Sequence, residues 1–159
     1  MAQDKVAIIT GGGTGIGQSA ALALAGDGWN VVVTGRRKEE LDKTVAMAGE
    51  GQGKIVAIAA DITKAEEVKR LFAETIATFG RLDFLFNNAG MGAPAVPMEE
   101  LPLEKWQAVV DVNLTAAFMR PPSAVSALPT SSCPQAMSNG RPSSAMHLVR
   151  PVMACLVVV

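Results

Sequence analysis

The sequence predicts an α/β fold built on a doubly wound parallel sheet, and three observations lead to that prediction. Short runs of β-branched residues alternate with longer segments of helical period as far as about residue 118. A glycine-rich turn follows the first apolar run and leads into a helix. Of the 159 residues, 49% are hydrophobic, which is enough for one domain with a core of ordinary size.

Four strands and four helices are expected in alternation, which makes about four β-α units of an incomplete Rossmann-type sheet. The strands are predicted at residues 6–10, 31–35, 55–59 and 82–86. The first helix follows the glycine-rich turn, the second is predicted at residues 38–48, and the fourth begins near Pro102 and Leu103.

The third helix has the clearest signals. Thr63 and Glu66 match a capping box, in which two side chains satisfy the first backbone N–H groups of a helix. The apolar stripe that follows consists of Val68, Leu71, Phe72, Thr75, Ile76 and Phe79. Gly80 is expected to end the helix.

The chain changes character after Arg120. Residues 121–159 contain no Asp, Glu or Lys, but they hold six of the nine prolines and both cysteines. We therefore predict a truncated nucleotide-binding domain at residues 1–120 and an irregular Pro/Ser-rich tail at residues 121–159. The tail is either a flexible native segment or the product of a shifted reading frame or faulty gene model. Residues 152–159 could add a strand beside the fourth one.

Composition excludes several classes of partner. The formal net charge of −1 gives no reason to expect nucleic acid or an anionic membrane. The apolar segment 151–159 is too short to cross a bilayer and no secretory signal is recognised, so we expect a cytoplasmic protein. Cys133 and Cys155 are expected to be free thiols and His147 a surface residue, so no metal site is predicted.

The turn from Thr10 to Gly17, with the sequence Thr-Gly-Gly-Gly-Thr-Gly-Ile-Gly, predicts a phosphate cradle. Glycines let the backbone approach a pyrophosphate, and the N–H groups at a helix start bind its charge. A Walker-type loop would need Lys and then Ser or Thr after the last glycine, whereas Gln18 and Ser19 follow here. Nucleotide hydrolysis is therefore disfavoured, and a dinucleotide is the preferred ligand.

Two arginines close the second strand, where an NAD site would place an acid on the ribose 2′-hydroxyl. A carboxylate would repel a 2′-phosphate, whereas the guanidinium of Arg36 or Arg37 can bind one. NADP (NADPH) is therefore the preferred cofactor, with NAD as the alternative. Both arginines could instead simply be solvated at a helix start.

Three motifs at strand ends resemble the short-chain dehydrogenase/reductase family. They are Thr10-Gly11-x-x-x-Gly15-Ile16-Gly17, Asp61-Ile62 and Asn87-Asn88-Ala89-Gly90. The resemblance covers residues 5 to about 118, the cofactor-binding half of the family. It implies an oxidoreductase that transfers hydride between NADP(H) and a small alcohol or carbonyl compound.

The resemblance and the charge argument together give a set of cofactor-binding residues. These are Thr10, Gly11, Gly13, Thr14, Gly15, Ile16, Gly17, Arg36, Arg37, Asp61, Ile62, Asn88, Ala89 and Gly90. In the family, the equivalent of Asp61 bonds the adenine amino group and that of Ile62 packs nearby. Asp61 could also begin the next helix, and the Asn-Gly segment could be a plain turn.

Asn113 is the one candidate catalytic residue. Its spacing from Trp106, Val109 and Val110 predicts an amide on the apolar stripe of its helix. The resemblance implies that it is a remnant of the family's catalytic tetrad. Alternatively, its side chain only satisfies a neighbouring backbone group.

The sequence departs from the family where the chemistry is expected. The family carries a Ser and a Tyr-x-x-x-Lys, but this sequence has no tyrosine and its last lysine is Lys105. We therefore predict that this chain has little or no activity and that it would bind a small-molecule substrate only if the missing half were present. We also predict that the family's oligomer interface is lost. A non-catalytic dinucleotide-binding module and an unstable fragment are the alternatives.

Overall fold

A computed structural model describes residues 5–49, 53–118 and 156–158. The strands are β1 (Val6–Thr10), β2 (Asn30–Gly35), β3 (Ile55–Ala59), β4 (Phe84–Phe86) and β5 (Leu156–Val158). The helices are α1 (Gly15–Gly26), α2 (Lys38–Met47), α3 (Ala65–Phe79), α4 (Leu103–Val110) and α5 (Ala116–Phe118). A 3-10 turn at Met98–Glu100 precedes α4, and a π-helical segment at Asp111–Thr115 joins α4 to α5.

The strands form one sheet in the order β3-β2-β1-β4-β5. Strands β1 to β4 run parallel, with Ala7 of β1 opposite Val31 of β2 and Phe84 of β4. This confirms the predicted doubly wound α/β fold and places the glycine-rich turn at the centre of the sheet. Strand β5 pairs antiparallel with β4, so part of segment 152–159 does add a strand there.

The core lies on both faces of the sheet, and β1 contributes to each. Val6 and Ile8 pack on one face with residues of α3, whereas Ala7 and Ile9 pack on the other face with residues of α1. All four side chains are at most 1% exposed. A strand covered on both faces needs a continuous apolar run, and residues 6–9 supply one.

In helix α3 the predicted apolar stripe and the predicted end at Gly80 are confirmed, but the predicted capping box is wrong. The helix begins at Ala65, its cap residue is Lys64, and no side-chain cap bond forms. The Thr63 hydroxyl instead donates to the Asp61 carboxylate (2.7 Å). Asp61 closes the turn before the helix, because its carboxylate accepts the N–H of Thr63 and its carbonyl accepts the N–H of Lys64, both at 3.0 Å. Glu66 pairs with Lys69 instead of reaching back to Thr63.

Strands β1 and β3 have the predicted limits, whereas other elements differ by one or two residues. Strand β2 begins one residue earlier and α2 ends one residue earlier. Strand β4 begins at Phe84 rather than at residue 82, and just before it the Asp83 carboxylate accepts the N–H of Val6 (2.8 Å). The π-helical segment after α4 has no counterpart in the predicted pattern.

Several predictions fall outside the described residues. They concern the irregular tail over residues 121–155, the free thiols of Cys133 and Cys155, and the surface position of His147. Within the described ranges, no helix is long and apolar enough to span a membrane. The same part of the chain holds no cluster of three His, Cys, Asp or Glu side chains that could bind a metal ion.

Candidate functional site

The glycine-rich turn after β1 is held against strand β2. The N–H groups of Gly11 and Gly12 both donate to the carbonyl of Thr34, at 2.8 and 3.3 Å. Gly11 has φ 68°, a left-handed conformation that favours glycine. A Cβ on Gly12 would lie 2.7 Å from the Cβ of Val33. The turn is therefore packed too closely for side chains.

Thr10 joins this turn to the loop after β4. Its hydroxyl accepts the N–H groups of Asn88 and Ala89, each at 3.0 Å, and donates to the carbonyl of Phe86 at 3.3 Å. The amide of Asn88 donates to the carbonyl of Thr10 at 3.0 Å. The carboxyl ends of β1 and β4 are thereby fixed relative to each other.

Helix α1 begins against the same contact. A Cβ on Gly17 would clash with the carbonyl of Gly11 and lie 2.6 Å from the Asn88 amide nitrogen. The N–H groups of the first helical turn have no partner within the helix, and such groups can bind an anion. At Gly15 a Cβ would meet nothing within 4 Å, so this end of the helix is open.

A cavity of about 370 Å³ lies across the carboxyl ends of the strands. It brings together ten of the predicted cofactor-binding residues, namely Gly11, Gly13, Thr14, Arg36, Arg37, Asp61, Ile62, Asn88, Ala89 and Gly90. Its size suits a cofactor pocket, and its position is the usual one for ligands of open α/β sheets.

The other four predicted cofactor-binding residues do not line the cavity. Thr10 is only 6% exposed and bonds two lining residues, Asn88 and Ala89, whereas Ile16 is 74% exposed. Gly15 and Gly17 form the first turn of α1 beside it. Whether these residues touch a cofactor stays a prediction.

Six lining residues were not predicted from the sequence, namely Gly35, Glu40, Leu41, Ala60, Met91 and Val112. Four of them could have been found from the sequence. Gly35, Ala60 and Met91 adjoin predicted site residues, and Glu40 lies in the first turn of the helix that follows Arg37. The contribution of Leu41 and Val112 depends on how α2 and the π-helical segment pack, which the pattern does not encode.

Charge is unevenly distributed along the cavity. Arg36 and Arg37 follow β2, and Asp61 follows β3. The Thr63 hydroxyl holds the pKa of the Asp61 carboxyl below its usual value, with smaller help from the Thr63 N–H and Arg36. The pKa of Glu40 is also lowered, chiefly by its hydrogen bond from Lys43 at 2.8 Å. Both acids are therefore charged near neutral pH.

The spacing of Asn113 predicted a buried residue on the apolar stripe of a helix, and the structure differs. It is exposed and lies in the π-helical segment rather than in a regular α-helix. Its side chain accepts the N–H of Met91 and donates to the carbonyl of Met91, both at 2.9 Å. This is the backbone partner that the alternative interpretation required, and it ties the loop after β4 to the helix.

Known proteins match most of this chain. The family model described as short chain dehydrogenase matches residues 5–132. A cyclohexanol dehydrogenase of Acinetobacter sp. (strain SE19) is 43% identical over 115 residues, which cover 72% of this chain and 46% of that protein. A 2,5-dichloro-2,5-cyclohexadiene-1,4-diol dehydrogenase of Sphingobium indicum is 39% identical over 115 residues, covering 72% and 45%. The chain thus spans about half the length of the curated relatives it matches.

Solved structures agree with this result. A metagenomic short-chain oxidoreductase in complex with NADP has 29% identity and a TM-score of 0.71, covering 80% of this chain and 56% of that one. An NAD⁺-bound xylitol dehydrogenase has 31% identity and a TM-score of 0.71, covering 79% and 47%. The similar structures therefore include both NADP and NAD⁺ complexes.

Proposed function

Because the chain belongs to the short-chain dehydrogenase family, we propose that its cavity binds a dinucleotide cofactor and prefers NADP(H) to NAD(H). One observation carries the preference: Arg36 and Arg37 line the end of the cavity beside β2. A dinucleotide that crosses the sheet would place its adenosine ribose there. Two guanidinium groups can bind a 2′-phosphate through charge-assisted hydrogen bonds.

The other lining residues are proposed to bind the rest of the cofactor. Gly13, Thr14 and the start of α1 would hold the pyrophosphate through backbone N–H groups. The charged Asp61 carboxylate can accept a hydrogen bond from the adenine amino group while Ile62 packs beside the ring. Asn88, Ala89 and Gly90 would pass along the ribose. A Cβ on Gly11 would lie 3.0 Å from Ala89 and Asn88, and a Cβ on Gly13 would lie 3.0 Å from Glu40, so the loop packs against its neighbours through bare backbone.

Asn113 is proposed as a positioning residue. Its paired hydrogen bonds to Met91 fix the peptide that follows Gly90, and Met91 lines the cavity. An amide that both donates and accepts can hold one backbone unit in a single orientation. Asn113 then sets the wall of the site without itself touching the reacting atoms.

For the family reaction, the proposed substrate is a small alcohol or carbonyl compound. The names of both curated relatives denote dehydrogenases of cyclic alcohols, which supports this class. A bound NADPH supplies a hydride, and reduction of a carbonyl also needs a proton donor. The 159 residues contain no tyrosine, so we propose that this sequence binds cofactor with little or no turnover.

Binding and turnover can be measured separately on the full chain. Arg36→Ala and Arg37→Ala should weaken NADPH binding roughly ten-fold, because a charged hydrogen bond is lost, and leave NADH binding unchanged. Lys38→Ala is the matched control, since this exposed lysine pairs with Asp42 and does not line the cavity. Titration calorimetry with both cofactors gives the comparison.

Two results would contradict the proposal. Equal losses for NADPH and NADH in the arginine variants would remove the 2′-phosphate role. Fast oxidation of NADPH with a panel of small carbonyl compounds would remove the claim of low turnover. Binding without turnover would agree with the proposal and favours the alternative of a non-catalytic dinucleotide-binding module. Absence of both a folded signal and binding would support the alternative of an unstable fragment.

Four further proposals come from the sequence alone. They are a domain boundary near residue 120, a cytoplasmic location, loss of the family's oligomer interface and a shifted reading frame after residue 119 or 120. Sequencing the coding DNA tests the last of these. A shifted frame that encodes Tyr-x-x-x-Lys and renewed β-α alternation would support it, and no such frame would reject it.

A further inference from the structure

A buried hydroxyl on α2 reaches the glycine-rich turn. Thr44 is 0% exposed, and its hydroxyl oxygen lies 3.0 Å from the carbonyl of Gly12 and 3.2 Å from that of Glu40. The same oxygen accepts a hydrogen bond from the Gln18 amide at 3.0 Å. Gln18, on α1, also donates to the carbonyl of Gly13 at 3.2 Å. Two helices thus bind two successive carbonyls of the turn.

These bonds fix the direction of the peptide planes. In a trans peptide, the C=O of one residue and the N–H of the next point in opposite directions. A Gly12 carbonyl held by Thr44 therefore turns the N–H of Gly13 away from α2. A Gly13 carbonyl held by Gln18 likewise turns the N–H of Thr14 away from the Gln18 side chain on α1. Gly13 and Thr14 are the two residues of the turn's second half that line the cavity.

We propose that Thr44 and Gln18 are positioning residues for the pyrophosphate. They draw two carbonyl oxygens into the protein, where these cannot repel an anion, and they leave the N–H groups of Gly13 and Thr14 directed at it. The inference rests on the proposed function for the identity of the anion. It adds that α2 organises both ends of the site, since the helix follows Arg36 and Arg37 directly and also carries Thr44.

The test compares two buried threonines. Thr44→Val removes the hydroxyl and leaves the Gly12 carbonyl and the Gln18 amide without that partner. Thr75→Val is the matched control, because Thr75 is also 0% exposed and also bonds the carbonyl four residues earlier (Leu71, 2.8 Å), but on α3. Titration calorimetry should show that Thr44→Val weakens NADPH and NADH about ten-fold alike, because both carry the pyrophosphate. Thr44→Ser should restore binding, and Thr75→Val should bind as the unaltered chain does.

A second readout needs no cofactor. The amide chemical shifts of Gly13 and Thr14, measured by NMR on the cofactor-free chain, should change in Thr44→Val and stay unchanged in Thr75→Val, because the bond from Thr44 orients these peptide planes. Gln18→Met gives the same comparison at a half-buried position if Thr44→Val does not fold. Unchanged chemical shifts and unchanged affinity in both variants would overturn the inference. Failure of the unaltered chain to bind either cofactor would instead overturn the proposed function, while the chemical shifts would still decide whether the turn depends on Thr44 and Gln18.

Discussion

At the scale of single residues, some side chains that do not line the cavity hold the loops that form its wall. Thr10 is the clearest case, because one hydroxyl bonds Phe86, Asn88 and Ala89. The family resemblance could identify Thr10 from the sequence, since it begins a recognisable motif. It could not identify Thr44, which lies outside every motif and reaches the glycine-rich turn only through the packing of α2.

The turn at Asp61 predicts a pH effect. A carboxyl whose pKa is lowered on folding adds stability above its unfolded pKa, about 3.9, and loses that contribution as the pH falls through the folded value. The Thr63 hydroxyl is the largest cause of the lowered pKa of Asp61. Thr63→Val should therefore raise the pKa of Asp61 and reduce the loss of stability between pH 7 and pH 3.

Carbon-13 NMR titration of the Asp61 carboxyl measures this directly, and urea unfolding at the two pH values measures the stability. Thr78→Val is the control, because its exposed hydroxyl bonds only the carbonyl of Glu74 among the contacts described. An unchanged pKa of Asp61 in Thr63→Val would contradict the assignment.

At the scale of elements, the sequence predicted each long helix and strand but not how they are joined. The apolar stripe of α3 is visible as a period, so its buried face was predicted. The capping box failed because Asp61, rather than Thr63, closes the turn before the helix. Asn113 was expected on a buried face because the apolar stripe that includes Trp106 was expected to pack against the core. No residue of α4 is buried and Trp106 is 52% exposed, so that face is open before the π-helical segment Asp111–Thr115 widens the next turn.

The entry of α1 predicts opposite results for two of its glycines. Gly17→Ala places a methyl group against the carbonyl of Gly11 and the amide of Asn88, so it should lower the free energy of unfolding by about 1–3 kcal/mol and weaken cofactor binding. Gly26→Ala meets nothing within 4 Å at the other end of the same helix and should be neutral or stabilising by up to about 1 kcal/mol. Urea unfolding of the two variants gives both values, and similar effects would show that packing at Gly17 is not close.

At the scale of the whole molecule, the order β3-β2-β1-β4-β5 explains where the cavity lies. Strand β1 is central, so the ends of β1, β2, β3 and β4 all contribute a wall. The alternation of strands and helices predicted this arrangement. The direction of β5 was not predicted, because a three-residue strand shows only that it is extended and not which way it runs.

Strand β5 covers the edge of β4, which otherwise exposes unpaired backbone groups. Replacing Leu156–Val158 by Gly-Ser-Gly should lower the free energy of unfolding by about 1–3 kcal/mol, the value of a few backbone hydrogen bonds, and should promote aggregation. A chain that lacks only Val159 is the control. Urea unfolding and light scattering check both effects, and an unchanged midpoint with no rise in scattering would contradict the role of β5.

The bond between Thr10 and Asn88 joins residues 78 positions apart, and this separation sets an order of assembly during synthesis. Strands β1 and β2 can pair as soon as about 35 residues have emerged, whereas the second edge of β1 must wait for β4. At about 5–20 residues per second, the delay is on the order of several seconds. Throughout that interval the glycine-rich turn exists without the loop that completes its pocket. A newly made chain can thus contain the whole glycine-rich turn and still lack the loop that completes the proposed nucleotide site.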